Sequence, residues 1–582
     1  MNRMLGGLLC AALVGVTALT GAPATASDPD YSGVLATLDS EIPQILEDTG
    51  GVGLTLAIVD GQKVIAAKGY GLADRDAGTP VTADTLFHIG SISKTFTAAA
   101  VMQLVEQGKV DLDAPLSRYV PAFSLLPRYK HNVITVRTVL DHHSGIPGDL
   151  FNGLITDNAP DPGYRAWLVK ALARMYPERR VNTQLAYNNS GFVLLQNLVE
   201  SVTGQSFEDY TRDNLFRPMG MTSSSFNDAL APDSAVTRNY APEADGAVSP
   251  RPREYVNGWA AGSILTSAND MTGYLRMLTA KGQGVNGRVL QEASLAAMTT
   301  PQTDAALDIN PGEVGLSWFL MDTWAGPVIM HDGGTVYNIS MLQVLPESGI
   351  GVLVSTNTAI GSGISDTIAA RALSLMYTAK TGITPPTPDA LPRATADPPS
   401  KKWVQDQAGI WAKQNGYDVA RAQGRRLRIL FDATTPAVYH RMKDGWWASS
   451  TTPDLQIRPR RISGTRLLVG RFPTASGIQK SVLAQKASLP AVPGAWRDRF
   501  GTYRAVNLVK NVSPGFVPAT VRLTSHKGAL VLKRPGYGVE VLQPIRSRVA
   551  FSFGAGGRNK GDGVFMKGRY LTYMGVRYQA VS

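Results

Sequence analysis

Six prolines fall between Thr381 and Ser400, in Thr381-Gly-Ile-Thr-Pro-Pro-Thr-Pro388 and again from Pro392 to Ser400. Proline fixes φ and donates no backbone hydrogen bond, so neither a long helix nor the inside of a sheet runs through such a stretch. The chain therefore divides here, with a linker at residues 379–402. A length of 582 residues requires such a division, because one hydrophobic core rarely serves more than roughly 250–300 residues. The two sides differ in charge. Residues 401–582 carry 31 of the 57 Lys and Arg and 8 of the 46 Asp and Glu, a net +23, against −12 for residues 1–400. That asymmetry implies a partner for the basic half: the acidic half itself, an anionic envelope polymer, or a membrane surface.

Residues 1–26 read as a signal peptide. Arg3 precedes the apolar run Met4-Leu-Gly-Gly-Leu-Leu-Cys-Ala-Ala-Leu-Val-Gly-Val, and Ala24-Thr25-Ala26 is a small-x-small cleavage pattern, which sets the mature start at Ser27. Cys10 is the only cysteine. The mature chain then has no disulfide, no thiol nucleophile and no Cys-ligated metal. The expectation is a secreted, periplasmic or cell-envelope protein, with no nucleic-acid partner. The pattern does not set an oligomeric state.

Residues 27–50 form an entry segment and a first helix. Leu54–Val59 and Lys63–Ala67 alternate as strands around an Asp60-Gly61 turn. Ile92, Phe96, Ala100 and Leu104 recur at a spacing of four, which predicts a helix from Ser91 to Gly108. Residues 110–300 are mainly helical, and strands return at 336–345 and 350–356. This order predicts an α/β (α+β) domain over 27–378, an antiparallel sheet made by both chain ends and flanked by helices. Residues 403–582 hold short alternating runs, such as Leu427–Phe431 and Ala529–Lys533, and read as an all-β, barrel-like domain. A weak repeat links Gly409-Ile-Trp411, before Gly424–Arg428, with Gly501-Thr-Tyr503, before Lys527–Val531. Its unequal intervals favour one barrel over two.

The chemistry centres on Ser91-Ile92-Ser93-Lys94. Residues i and i+3 share a helix face, so Ser91 and Lys94 meet one turn apart. A serine hydroxyl needs a base to become a nucleophile, and a lysine that burial keeps neutral supplies one. The surroundings, Phe87-His-Ile-Gly-Ser-Ile-Ser-Lys-Thr-Phe-Thr-Ala98, together with Ile134–Pro147, Tyr187-Asn188-Asn189, Trp259–Ser267 and His331-Asp332-Gly333-Gly334, resemble the serine β-lactamase and penicillin-binding-protein superfamily over roughly residues 35–378. The match is to its class C β-lactamase-like group, with esterases and D-amino-acid peptidases. The resemblance implies that Tyr187 relays a proton, that Asn189 binds substrate, and that the N–H groups of Gly334 and Ser91 form an oxyanion hole. It implies that Gly333 and Gly334 let substrate lie along the strand edge. Where most β-lactamases carry a lysine, this chain has His331, a departure that points away from β-lactams. The adjacent His142 and His143 do not suit one metal ion and have no third ligand spaced nearby, so neither a metal nor an organic cofactor is expected. The expected function is two-step acyl transfer on a small peptide, amide or ester. A β-lactamase and a catalytically silent binding protein are the alternatives.

Overall fold

The computed structural model describes residues 29–581 except 149, 304–311, 360–362, 388, 414–415, 433, 463, 475–476, 488–490, 514–516 and 555–560. The expected signal peptide lies outside the described residues. Helix α1 (Ser32–Thr49) buries Val34, Leu38, Ile42 and Leu46 as one stripe, and Gly50 ends it at φ 74°. Strands β1 (Gly53–Asp60) and β2 (Lys63–Asp74) form a hairpin. Asp60 pairs with Lys63, so the turn residues are Gly61 and Gln62, one place beyond the expected Asp60-Gly61. Strand β3 (Thr79–Pro80) follows. In the helical middle, the helix expected from Ser91 is a tight turn, Gly90–Ile92, leading into α2 (Ser93–Glu106). Helix α3 (Ser190–Thr203) packs against α2.

Five strands then return: β4 (Gly312–Val314), β5 (Phe319–Thr323), β6 (Gly326–Gly334), β7 (Ile339–Leu345) and β8 (Ile350–Thr356). The antiparallel sheet has the order β4-β5-β6-β7-β8-β1-β2-β3. Strand β1 pairs with β8 from Leu54↔Thr356 to Asp60↔Ile350, so the two ends of the domain do close the sheet. Strand β1 is buried along its length because both faces are covered. Leu54, Leu56 and Ile58 face α1 and α4 (Gly363–Thr381), while Ala57 and Val59 face the helical core.

Beyond α4 the expected single barrel is corrected. Two closed eight-stranded barrels are present, one from Gly409–Lys413 to Gly477–Lys486 and one from Gly501–Ala505 to Val576–Ala580. Gly409 and Gly501 open the equivalent first strands. A short helix precedes each and buries Val404 or Trp496. The same tie recurs in both: Trp411 Nε1 donates to Gln407 O at 3.0 Å, and Tyr503 OH donates to Arg499 O at 2.7 Å. The intervals differ because two residues separate the first two strands of barrel one, whereas fourteen separate Ala505 from Thr520 in barrel two.

The proline-rich stretch is tied to the first barrel. Leu391 is buried, Gln456 Nε2 donates to Pro392 O at 2.9 Å, and Arg441 pairs with Asp397 at 2.6 Å. Ile410 and Ala412 of the first barrel share an apolar cluster with Ala529, Val531 and Val541 of the second. The main apolar core continues from the helices into the second barrel, including Leu150, Trp496, Leu571 and Met574.

Candidate active site

Ser91 sits where β6 presses against the turn before α2. Gly90 takes φ 52°, and a Cβ there would stand 2.5 Å from the Gly334 nitrogen. A Cβ on Gly333 would stand 1.9 Å from Ile89 O. Only glycines allow this approach of two backbones. Ser93 locks the turn: its hydroxyl donates to Gly90 O at 2.7 Å and accepts from Ile264 N at 3.1 Å. Ser91 remains 8 % exposed, while Lys94 is fully buried. Lys94 Nζ donates to Ser91 Oγ at 2.9 Å and to Ala261 O at 2.5 Å. It lies 4.9 Å from the centre of the Tyr187 ring and 5.6 Å from that of Phe192 on α3.

Tyr187 is held from behind. Its ring centre lies 4.3 Å from that of His142 and 6.3 Å from that of His331. The Asn188 N–H donates to His142 Nδ1 at 3.2 Å, and Asn188 Oδ1 accepts from Gly191 N at 2.8 Å, which anchors the start of α3. His143 turns elsewhere, with Nδ1 2.8 Å from Asp141 O.

A cavity of about 480 Å³ opens over Ser91. Of the expected site residues, Ser91, Tyr187, Asn189 and Gly334 line it; Lys94, His331 and Gly333 do not. His331 is buried, at zero exposure. Successive strand residues face opposite sides: His331 and Gly333 turn inward, and Asp332 and Gly334 turn outward and line the cavity. Phe151, Leu154, Ile155, Val256 and Phe319 make the rest of the wall largely apolar. Among the described residues, Asp332 is the one charged residue in the lining.

Two supports had no sequence signal. Buried Glu254 accepts from Thr335 Oγ1, from Val336 N at 3.1 Å and from Asn338 Nδ2 at 2.9 Å, fixing the turn after β6. Burial raises the Glu254 carboxyl above the ordinary range, with His88 opposing the shift. Asp228 lies 3.1 Å from His88 Nε2 and accepts from Val256 N at 2.7 Å, joining the cavity wall to the strand that leads to Ser91. The second support is the long loop of the second barrel. Asn152 Nδ2 donates to Asn507 O at 3.0 Å, and Asn152 Oδ1 accepts from Val509 N at 3.0 Å. Asp157 N donates to Asn511 O at 2.8 Å, and Thr156 bridges Val512. The loop is thus bridged by backbone hydrogen bonds to the segment that carries Leu154 and Ile155. Ala261, by contrast, falls inside the Trp259–Ser267 motif, and Gly90 immediately precedes Ser91.

The sheet-and-helix fold, with a serine and a buried lysine in contact beneath a cavity, defines a serine hydrolase of the β-lactamase and penicillin-binding-protein superfamily. The family model described as Beta-lactamase matches residues 38–377, and the chain belongs to that family. It is 31 % identical over 318 residues to penicillin-binding protein 4 of Amycolatopsis lactamdurans, covering 53 % of this chain and 82 % of that relative. It is 28 % identical over 326 residues to the unguisins hydrolase of Aspergillus campestris, covering 54 % and 60 %. The octameric penicillin-binding protein homologue from Pyrococcus abyssi superposes with a TM-score of 0.52 at 22 % identity, over 78 % of this chain and 99 % of that one. That likeness concerns the fold, and it extends beyond the family match into the barrel region.

Proposed function

We propose that the protein is an exported hydrolase performing two-step acyl transfer on esters or amides, as an esterase or a D-amino-acid peptidase, with Ser91 as nucleophile. The observation that carries this reading is the 2.9 Å contact between Lys94 Nζ and Ser91 Oγ at the floor of the cavity. As a neutral amine Lys94 accepts the hydroxyl proton while Oγ attacks the substrate carbonyl. Tyr187, beside Nζ, passes the proton to the leaving group. The Ser91 and Gly334 N–H groups hold the oxyanion; one such donor contributes about 2.7–4 kcal/mol. Asn189 orients the substrate, and Gly333 lets the strand approach the serine. His331 acts by packing against Tyr187 and Phe319. Water then attacks the acyl-enzyme and releases the acid.

The lining chooses among substrates. Among the described residues no lysine or arginine lines the cavity, and Asp332 does. The carboxylate of a β-lactam or of a peptide C-terminus would meet an acidic residue, not a cation. Neutral esters and amides with an apolar acyl group suit the wall better. One relative is named a hydrolase and another a penicillin-binding protein, which agrees with acyl-transfer chemistry. Steady-state kinetics with p-nitrophenyl butyrate, D-phenylalanine amide and nitrocefin test this choice. We expect kcat/KM for the ester or the D-amide to exceed that for nitrocefin at least tenfold. The reverse order favours the β-lactamase reading, and no turnover of any of the three favours a silent binding protein. Residues 1–26 direct export, and the basic barrels face an anionic polymer of the envelope.

A further inference from the structure

The seam between the two barrels holds a groove outside the Ser91 cavity. One recess, of about 250 Å³, is lined by Arg461, Arg466 and Lys486. A second, of about 260 Å³, is lined by Arg128, Arg179, Arg180 and the buried Glu178 from the helical part of the chain. Both are also lined by Gln485, Gln543 and Phe553, so they adjoin, with cations in each and two amides in common.

The cations at the barrel end are compressed together. Arg461 stands directly opposite Arg466 across their hairpin, an arrangement of like charges that destabilises a sheet. Arg466 Nη1 donates to Asp406 O at 3.4 Å, and Lys486 Nζ donates to the same oxygen. Burial, and then the charge of Arg466, hold the Lys486 ammonium below the ordinary lysine range. The ion pairs within the barrels use Lys413, Arg471 and Arg534 instead. Among the described residues, none involves Arg461, Arg466 or Lys486. The groove also lies at the seam that closes barrel one, through Trp411↔Lys486 and Ala412↔Gln485.

We propose that this groove binds a linear anionic polymer whose charges are phosphates or carboxylates. Two adjoining recesses with cations in each accept a flexible chain and exclude a flat bilayer. Arginine forks donate in pairs to either anion, and an anion between Arg461 and Arg466 removes their mutual repulsion. The inference deepens the envelope reading above. Its test uses no hydrolysis, so it stands or falls apart from the reaction assigned to Ser91.

The test is fluorescence anisotropy on the full chain with labelled inorganic polyphosphate and labelled poly-L-glutamate, which separate a phosphate source from a carboxylate one. The groove variant is Arg461→Ala, Arg466→Ala and Lys486→Ala combined. The control combines Lys402→Ala, Lys443→Ala and Lys567→Ala, exposed residues that line neither recess. At equal loss of net charge, the groove variant should bind at least one polymer ten or more times more weakly, and the control less than threefold. The slope of log affinity against log salt should shrink by about 2, at roughly 0.7 per lost phosphate contact. Equal losses in the two variants, or wild-type protein binding neither polymer, overturn the proposal. So does binding to phosphatidylglycerol vesicles without binding to either polymer. If the triple variant does not fold, the pair Arg461→Gln and Arg466→Gln is measured against the same criteria.

Discussion

At Gly90 the backbone is left-handed, and any side chain would run into the Gly334 nitrogen. Gly90→Ala should therefore cost about 2–4 kcal/mol of stability, from strain and from displacement of β6. Thermal melts check this; a variant with wild-type Tm and activity contradicts it. Lys94→Met should leave the fold intact, because the alkyl stem is preserved, and should lower kcat/KM by about 10³-fold or more, roughly 4 kcal/mol in the barrier. Steady-state assays read that directly, and retention of a tenth of wild-type activity would count against Lys94 as the base. At this scale much of the site was legible. Helical spacing puts Ser91 and Lys94 in contact, while their choice, and that of Tyr187 and Asn189, came from the family resemblance. The burial of His331 was not legible, because it depends on which face of β6 meets the helices.

Elements meet at the start of α4, where Asp366 faces β6. Asp366 Oδ1 is buried with no hydrogen-bond partner. Burial first, and then the negative charge of Asp332, raise its carboxyl from 3.8 to about 6. A carboxyl raised in the folded state contributes stability below the unfolded value, and that stability is lost as pH rises through about 6. Asp366→Asn should remove this loss. Its stability relative to wild type should improve by about 1 kcal/mol between pH 4 and pH 7, a figure reduced because the group is half exposed. Melts at both pH values test it; a difference that does not change with pH refutes the account. Helix α1, the helix after Ser91 and strands β1, β2, β7 and β8 were legible from the sequence pattern; β3, β4 and β5 were not, and the middle of the chain has fewer helical residues than expected. The Glu254 and Asp228 ties were not legible, because each joins residues far apart in sequence that follow no repeating pattern.

The whole molecule couples the second barrel to the cavity wall. Asn152 is bonded to Asn507 and Val509, more than 350 residues away. Asn152→Ala should loosen the segment bearing Leu154 and Ile155, raising KM about three- to tenfold with little change in kcat, since no reacting group moves. Equal losses in KM and kcat, or no change in either, would argue against a positioning role for the loop. The all-β character of the C-terminal part was legible from its alternating runs. The barrel count was not. The long loop that reaches the active site lengthens one repeat and disguises its likeness to the other.

The central claim is that Ser91 is the nucleophile. Folded protein should be incubated with a fluorophosphonate, digested, and mapped by mass spectrometry. The account predicts one adduct per chain, on the peptide containing Ser91, lost in Ser91→Ala and strongly slowed in Lys94→Met. An adduct on a different serine, or no adduct on folded protein, would contradict it.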